Sequence, residues 1–171
     1  VQNTKSKIKT YSLKKLSDYN IKIIENNIEV LIIKLNDKLI HTQITGKFNA
    51  YNIVAVYAVS DILGLDQNKS IELLSKIKPV EGRFQVIAKN GITGIVDFAH
   101  TPDAIEKVLV SVKDYVKSDG IIITVVGCGG GRDKEKRNKM GYVSSKLSDL
   151  TIFTSDNPRN EDPNQIIEDM K

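Results

Sequence analysis

The sequence predicts an α/β protein whose second half is a Rossmann-like domain with a mostly parallel sheet. Three observations carry that expectation. Residues 1–45 hold short β-branched runs separated by turn residues. Two amphipathic helical patterns follow. From Phe84 onward the order is strand, strand, helix, strand, helix, strand, helix. Strands that alternate with helices in this way form parallel sheets through βα crossovers.

Ile21–Ile24, Val30–Ile33 and Leu39–Ile44 read as strands, with Asn26-Asn27 and Asn36-Asp37 as hairpin turns. Gly46-Lys47-Phe48-Asn49 opens a helix that runs to about Gly64. Its apolar stripe is Ala50, Ile53, Val54, Tyr57, Ala58 and Ile62. A shorter helix carries Ile71, Leu73, Leu74 and Ile77. Pro79 and Gly82 then stop the helical pattern, so Lys78–Arg83 reads as a boundary between residues 1–82 and 83–171. In the second half, Ile95–Phe98 reads as a strand. Thr101 is placed to cap the next helix, and Pro102 suits its first position. Ile105, Val108, Leu109, Val112 and Val116 form that helix's core face. Ile121–Val126 is a continuous apolar run, expected to be a strand buried on both faces. A charged helix from Asp133 to about Leu147 and a strand over Leu150–Thr154 follow. Asp162-Pro163-Asn164-Gln165 is expected to be a capping box that starts a last helix.

Composition narrows the function classes. The 171 residues are 40% hydrophobic and 27% charged, as in soluble globular proteins. The net charge of +4 is small and evenly spread, which argues against a nucleic-acid surface. The single cysteine, Cys128, has no internal partner, which fits a reducing cytoplasm. No apolar run approaches the ~18 residues that span a bilayer. The opening Val1-Gln2-Asn3-Thr4-Lys5 has no initiator Met and no leader pattern, so the chain is expected to begin inside a longer protein.

Three polar segments each follow an apparent strand: Asp97–Asp103, Gly127–Asp133 and Thr154–Arg159. Loops that follow successive strands can line up along one edge of a parallel sheet, where open α/β folds bind ligands. This edge would be rich in Arg, Asp and Asn, suiting a ligand with carboxylates and amines. The glycine segment fails as a dinucleotide fingerprint, because Arg132 holds the sixth position and the acid about twenty residues on, Asp149, precedes a strand. It also lacks the Lys-Ser/Thr end of a phosphate-binding P-loop. What remains is a tight loop expected to expose backbone N–H groups to an anion, with the Arg132 fork beside it. Asp156, Asn157, Pro158 and Arg159 could bind a zwitterion, with Arg for a carboxylate and Asp for an ammonium. Plainer readings compete at each place. They are a glycine turn with a solvated Arg132, a capping Asp97 with a half-buried His100, and a βα turn with a surface Arg159. Cys128 has no evident base to make it a nucleophile. His41 and His100 are the only histidines and nothing pairs them, so no metal site is assigned. Asn49 and Asn52 either enter a helix or read an adenine edge.

Taken together, Gly46–Asn52, Glu81–Phe84, Asp97–Asp103, Gly127–Arg137 and Ser155–Arg159 resemble the Mur ligases. The resemblance is nearest to the members that add the third amino acid of the peptidoglycan stem peptide. It implies the end of a central ATPase domain over residues 1–82 and most of a Rossmann-like C-terminal ligase domain over 83–171, with a hinge near Glu81-Gly82-Arg83. It implies that Asn49 contacts adenine, that Arg83 and Asp97 contact the nucleotide's phosphate and ribose, and that His100 lies beside the nucleotide. Arg132, Asp156, Asn157, Pro158 and Arg159 would bind the incoming amino acid. The Asp-Asn-Pro-Arg motif marks meso-diaminopimelate, whose second carboxylate Arg159 would pair and whose place a lysine ammonium could not take. The implied reaction uses ATP and Mg²⁺. ATP phosphorylates the terminal carboxylate of UDP-N-acetylmuramoyl-L-alanyl-D-glutamate, and diaminopimelate attacks the acyl phosphate. The implied setting is a monomer in the bacterial cytoplasm, with small-molecule substrates and neither nucleic acid nor membrane as partner. Departures from the family pattern are the missing Gly-x-x-Gly-Lys-Thr loop and magnesium ligands, Gly131 where many relatives carry Asp or Asn, and Asn138 in place of a common Pro. No catalytic residue is therefore assigned within these residues, and the chain alone is expected to be inactive. The alternatives are a folylpolyglutamate-synthase-like ligase, a non-catalytic ligand-binding module, and a nicotinamide dehydrogenase, the last disfavoured by Arg132.

Overall fold

A computed structural model describes residues 4–171. Val1, Gln2 and Asn3, part of the stretch read for a leader pattern, lie outside the described residues. The chain divides into two compact units, residues 1–95 and 96–171.

The first unit has a four-stranded sheet in the order β1 (Tyr11–Ser12), β2 (Tyr19–Asn26), β3 (Leu31–Leu35), β4 (Lys38–Thr42). β2, β3 and β4 are antiparallel, and the short β1 runs parallel to β2. The period of two puts Leu31, Ile33 and Leu35 on the buried face of β3, while Ile32 and Lys34 are only half-buried. Asn36-Asp37 forms the expected two-residue turn, with Asn36 left-handed at φ 49°. The other turn is longer than expected. It runs from Asn27 to Val30, because the Asn27 side chain accepts from the N–H groups of Glu29 (2.8 Å) and Val30 (2.9 Å). This local bonding takes Val30 out of the strand. Helix α1 (Lys47–Ile62) lays Ala50, Ile53, Val54 and Tyr57 on the sheet, and α2 (Gln67–Lys76) adds Leu74. Asp66 caps α2 by accepting from Lys69 N.

β5 (Gln85–Lys89) and β6 (Ile92–Val96) pair with each other as a separate two-stranded sheet. Asn90 and Gly91 both have positive φ (51° and 79°), as a type I′ turn demands. The expectation of three successive strands in one parallel sheet is therefore corrected: β6 belongs to a local hairpin. Closing a two-residue loop costs little chain entropy, and the Asn-Gly pair supplies the required backbone.

In the second unit, α3 (Pro102–Lys113), β7 (Ile123–Cys128), α4 (Glu135–Leu147), β8 (Leu150–Ser155) and α5 (Pro163–Glu168) follow in order. β7 and β8 are parallel, with Ile123 opposite Leu150 and Cys128 opposite Ser155. Thr101 caps α3 by accepting from Ala104 N (3.2 Å), and Pro102 starts the helix. The core joins Ile105 and Leu109 of α3, Met140 of α4, and Ile166 and Met170 at the C-terminal end, with Ile122 just before β7 and Cys128 at its end. β7 is not buried on both faces, contrary to the expectation. Ile123 and Val125 are 53% and 64% exposed, next to exposed Leu150 and Ile152 on β8. The helices of this unit cover only the face of Thr124, Val126, Thr151 and Phe153, so the apolar run reports an uncovered face as much as a core.

Candidate functional site

The ends of the parallel strands place two of the three polar loops side by side. The glycine loop after β7 and the Asp-Asn-Pro-Arg loop after β8 clasp each other through their backbones. Gly130 N–H donates to Asn157 O (2.8 Å), and Arg159 Nη1 donates to Gly130 O. Gly131 N–H donates to Glu161 Oε1 (2.6 Å). The glycines are needed for this closeness. A Cβ on Gly130 would lie 1.9 Å from Pro158 O, and one on Gly129 would lie 3.0 Å from Arg159 Nη1. Gly131 is left-handed at φ 61°, and so is Arg159 at φ 51°. These contacts take two N–H groups of the loop, those of Gly130 and Gly131, out of reach of an anion by bonding them to the neighbouring segment. The glycines serve loop-to-loop packing.

Arg132 is exposed and has no side-chain partner among the described residues. Asp156 and Asn157 are exposed, and Pro158 is half-buried against the glycine loop. Arg159 has one guanidinium nitrogen tied to Gly130 O, which fixes its direction and leaves other donors of its fork for a carboxylate. The loop after β6 reaches the start of α4: Lys136 Nζ donates to His100 O (3.0 Å). Asp97 forms an Asx turn, accepting from Ala99 N (2.7 Å). The exposed His100 ring lies 5.4 Å from the equally exposed Phe98 ring, with Nδ1 3.1 Å from Phe98 O. Cys128 is a core residue. Its thiol points at Met140 Sδ (3.6 Å), and burial raises its pKa, the reverse of nucleophile activation. Asp149, the candidate ribose acid of the dinucleotide reading, accepts from Ile122 N (2.7 Å) and so serves the fold.

The remaining candidates lie in the first unit. Asn49 is buried, donates from Nδ2 to Thr45 O (2.6 Å) and accepts from Asn52 Nδ2 (2.9 Å). The two asparagines thus bond each other. Arg83 is exposed in a turn closed by its N–H to Val80 O (3.1 Å), beside Phe84, which packs edge-on to Phe48.

Sequence reasoning gave no role to Arg137 or Glu161. Arg137 lies on α4 inside the Gly127–Arg137 segment and is fully buried. It grips Glu161 with both terminal nitrogens (2.9 and 3.0 Å) and Asp169 with one (2.7 Å). Its hydrogen bonds, with that from Gly131 N–H, hold the Glu161 carboxyl at about 2 instead of near 4.5. Arg132 lies exposed in the loop before α4, whereas Arg137 sits in the first turn of that helix and points into the packed interior.

Comparison with known proteins bears on this geometry directly. Residues 82–171 match the family described as "Mur ligase, glutamate ligase domain". The chain belongs to the Mur ligase family. This Mur ligase chain is 46% identical over 170 residues to the UDP-N-acetylmuramoyl-L-alanyl-D-glutamate–2,6-diaminopimelate ligase of Phocaeicola vulgatus, covering 99% of this chain and 35% of that protein. It is 47% identical over 171 residues to the enzyme of that name from Parabacteroides distasonis, again covering 35% of it. The chain therefore spans about a third of the length of these relatives. A solved structure of a ligase with that name aligns at 35% identity with a TM-score of 0.55, covering 96% of this chain and 34% of that one. A folylpolyglutamate synthase of Thermotoga maritima aligns with a TM-score of 0.67 over 90% of this chain; at 21% identity it shares the fold alone.

Proposed function

We propose that this Mur ligase chain is the amino-acid-binding part of an ATP-dependent ligase. That ligase joins meso-diaminopimelate to UDP-N-acetylmuramoyl-L-alanyl-D-glutamate in peptidoglycan synthesis. The observation that carries the reading is the clasp of the two βα loops. It holds Arg159 by a backbone carbonyl while Arg132, Asp156 and Asn157 stay exposed beside it. Two guanidinium groups and one carboxylate match a ligand with two carboxylates and two amines. Arg132 and Arg159 would take carboxylates in forked, charge-assisted bonds, and Asp156 would take an ammonium. The names of the 46–47% identical relatives support the same substrate.

Asn49 and Arg83 in the first unit and Asp97 and His100 in the second are each taken as nucleotide-contacting residues, with the domains divided at residue 82/83. ATP supplies the phosphoryl group that activates the acceptor's carboxylate. The chain's own part is to hold the amino acid in line for attack, which is entropic and electrostatic work. Among the described residues no group of three or more His, Cys, Asp or Glu could hold a metal ion. The reading assigns the Mg²⁺ of the reaction to other parts of the enzyme and holds these residues alone to be inactive. Among the described residues no helix is long and apolar enough to cross a membrane, and the reading places the enzyme in the bacterial cytoplasm as a monomer.

The test is steady-state ADP release by the full-length ligase carrying Arg132→Ala or Arg159→Ala. Each loses a charge-assisted contact of about 1.5–3 kcal/mol, so the KM for diaminopimelate should rise roughly ten- to hundred-fold while the KM for ATP stays put. Unchanged diaminopimelate kinetics in both variants would refute the assignment.

A further inference from the structure

We infer that Arg137 is a positioning residue for the amino-acid site, acting through Glu161 to hold the two ligand loops in register. The inference rests on the proposed site and adds residues that touch no ligand. All four terminal N–H groups of Arg137 are engaged: two on Glu161, one on Asp169 Oδ2 and one on Gly129 O (3.4 Å). A single buried cation thus reaches the glycine loop and the segment after Asp-Asn-Pro-Arg at once. Glu161 completes the link. It receives Gly131 N–H at 2.6 Å, and its own N–H donates to Pro158 O at 3.0 Å. The path from Arg137 to Arg159 is therefore short. Arg137 fixes Glu161, Glu161 fixes Gly131 and Pro158, and Gly130 O receives Arg159. Arg132 directly follows the fixed Gly131, so both proposed carboxylate-binding guanidiniums hang on this link.

The chemistry explains why arginine is required. Bridging two carboxylates and a carbonyl needs a planar fork with several fixed donors, and lysine's ammonium is a point charge that cannot keep both bidentate bonds. Nε of Arg137 is buried without a hydrogen-bond partner, so the group is held for its terminal nitrogens alone. A merely stabilising buried ion pair would not need to end on the backbone of two ligand loops. Lys134, 3.3 Å from Glu161 Oε2 and two-thirds exposed, adds little in water.

The experiment measures steady-state kinetics of the full-length ligase with Arg137→Lys and Glu161→Gln, together with thermal unfolding of each. Misplacing both guanidiniums should raise the KM for the amino acid on the order of ten-fold or more, with kcat and the KM for ATP within about two-fold. Asp169→Asn, which touches Arg137 but neither loop, should leave the amino-acid KM within about two-fold. The inference is overturned if Glu161→Gln lowers the unfolding temperature or the active fraction but leaves that KM unchanged. If Arg137→Lys does not fold, the nearly isosteric Glu161→Gln decides alone. Failure of the proposed function looks different: the unmodified enzyme would show no diaminopimelate-dependent ADP release before any variant is compared.

Discussion

Single residues carry the contact between the two ligand loops. Gly130 has Pro158 O where a side chain would begin, so Gly130→Ala must push the loops apart. Forcing a group against backbone costs about 1–3 kcal/mol, and a lower unfolding temperature with weaker amino-acid binding is the expected result. Gly131 is a milder case. It is left-handed, the conformation that Asp and Asn tolerate best after glycine, and a Cβ there would lie 3.3 Å from Arg159 Cδ, so a side chain fits only if that arginine yields slightly. The carboxyls give a pH prediction. Glu161 is held at about 2 by Arg137 and Gly131, and in the first unit Asp18 is held at about 2 by Lys9 and Thr10. Folded values below the unfolded ones mean that stability is fully present above about pH 4.5. It is lost as pH falls from there toward 2. Acid titration by circular dichroism should show this, and Glu161→Gln should flatten the second unit's share of the loss. The placement of Arg132 and Arg159 in loops that follow parallel strands was legible from the motif and the element order. The inward role of Arg137 was not, because only packed helices reveal which cation is enclosed.

At the scale of elements, the sequence signals that worked were local and stereochemical. Thr101-Pro102 predicted a capped helix start and the cap is made, so Thr101→Ala should cost about 1 kcal/mol, read as a fall in thermal stability. The last helix shows where such a signal falls short. Asp162 caps Asn164 N, but Gln165 turns to Asp169 Oδ1 (2.8 Å) rather than back to the cap, so the box is one-sided. Gln165 is drawn there by the carboxylate that also meets Arg137, a tertiary partner that no four-residue pattern encodes. Helix α4 reads as a charged surface helix from composition. Its Gly141 nevertheless sits where a Cβ would lie 1.7 Å from Met170 O, so close packing at the C-terminal end depends on it. The β5–β6 hairpin is the opposite case: Asn90-Gly91 spelled it out, while the βα rhythm that followed drew the second strand into the wrong sheet.

At the scale of the whole molecule, the order of elements was legible from periodicity, and the chain has two separate cores in units that divide between residues 95 and 96. Burial was not legible, because an apolar strand reads the same whether one face or both are covered. Ile123, Val125, Leu150 and Ile152 form an exposed apolar face on the parallel pair, and such faces associate in water. Ile123→Thr with Val125→Thr keeps strand propensity while adding hydroxyls. In the 171-residue chain this pair should shift size-exclusion behaviour toward smaller species with little change in helix content. The central claim is that the clasped loops recognise a second carboxylate on the incoming amino acid. The measurement that bears on it most directly is the ratio of kcat/KM for meso-diaminopimelate and for L-lysine in the full-length ligase. The account predicts a preference for diaminopimelate of at least about ten-fold, which Arg159→Ala reduces. Equal or better use of lysine by the unmodified enzyme would contradict it.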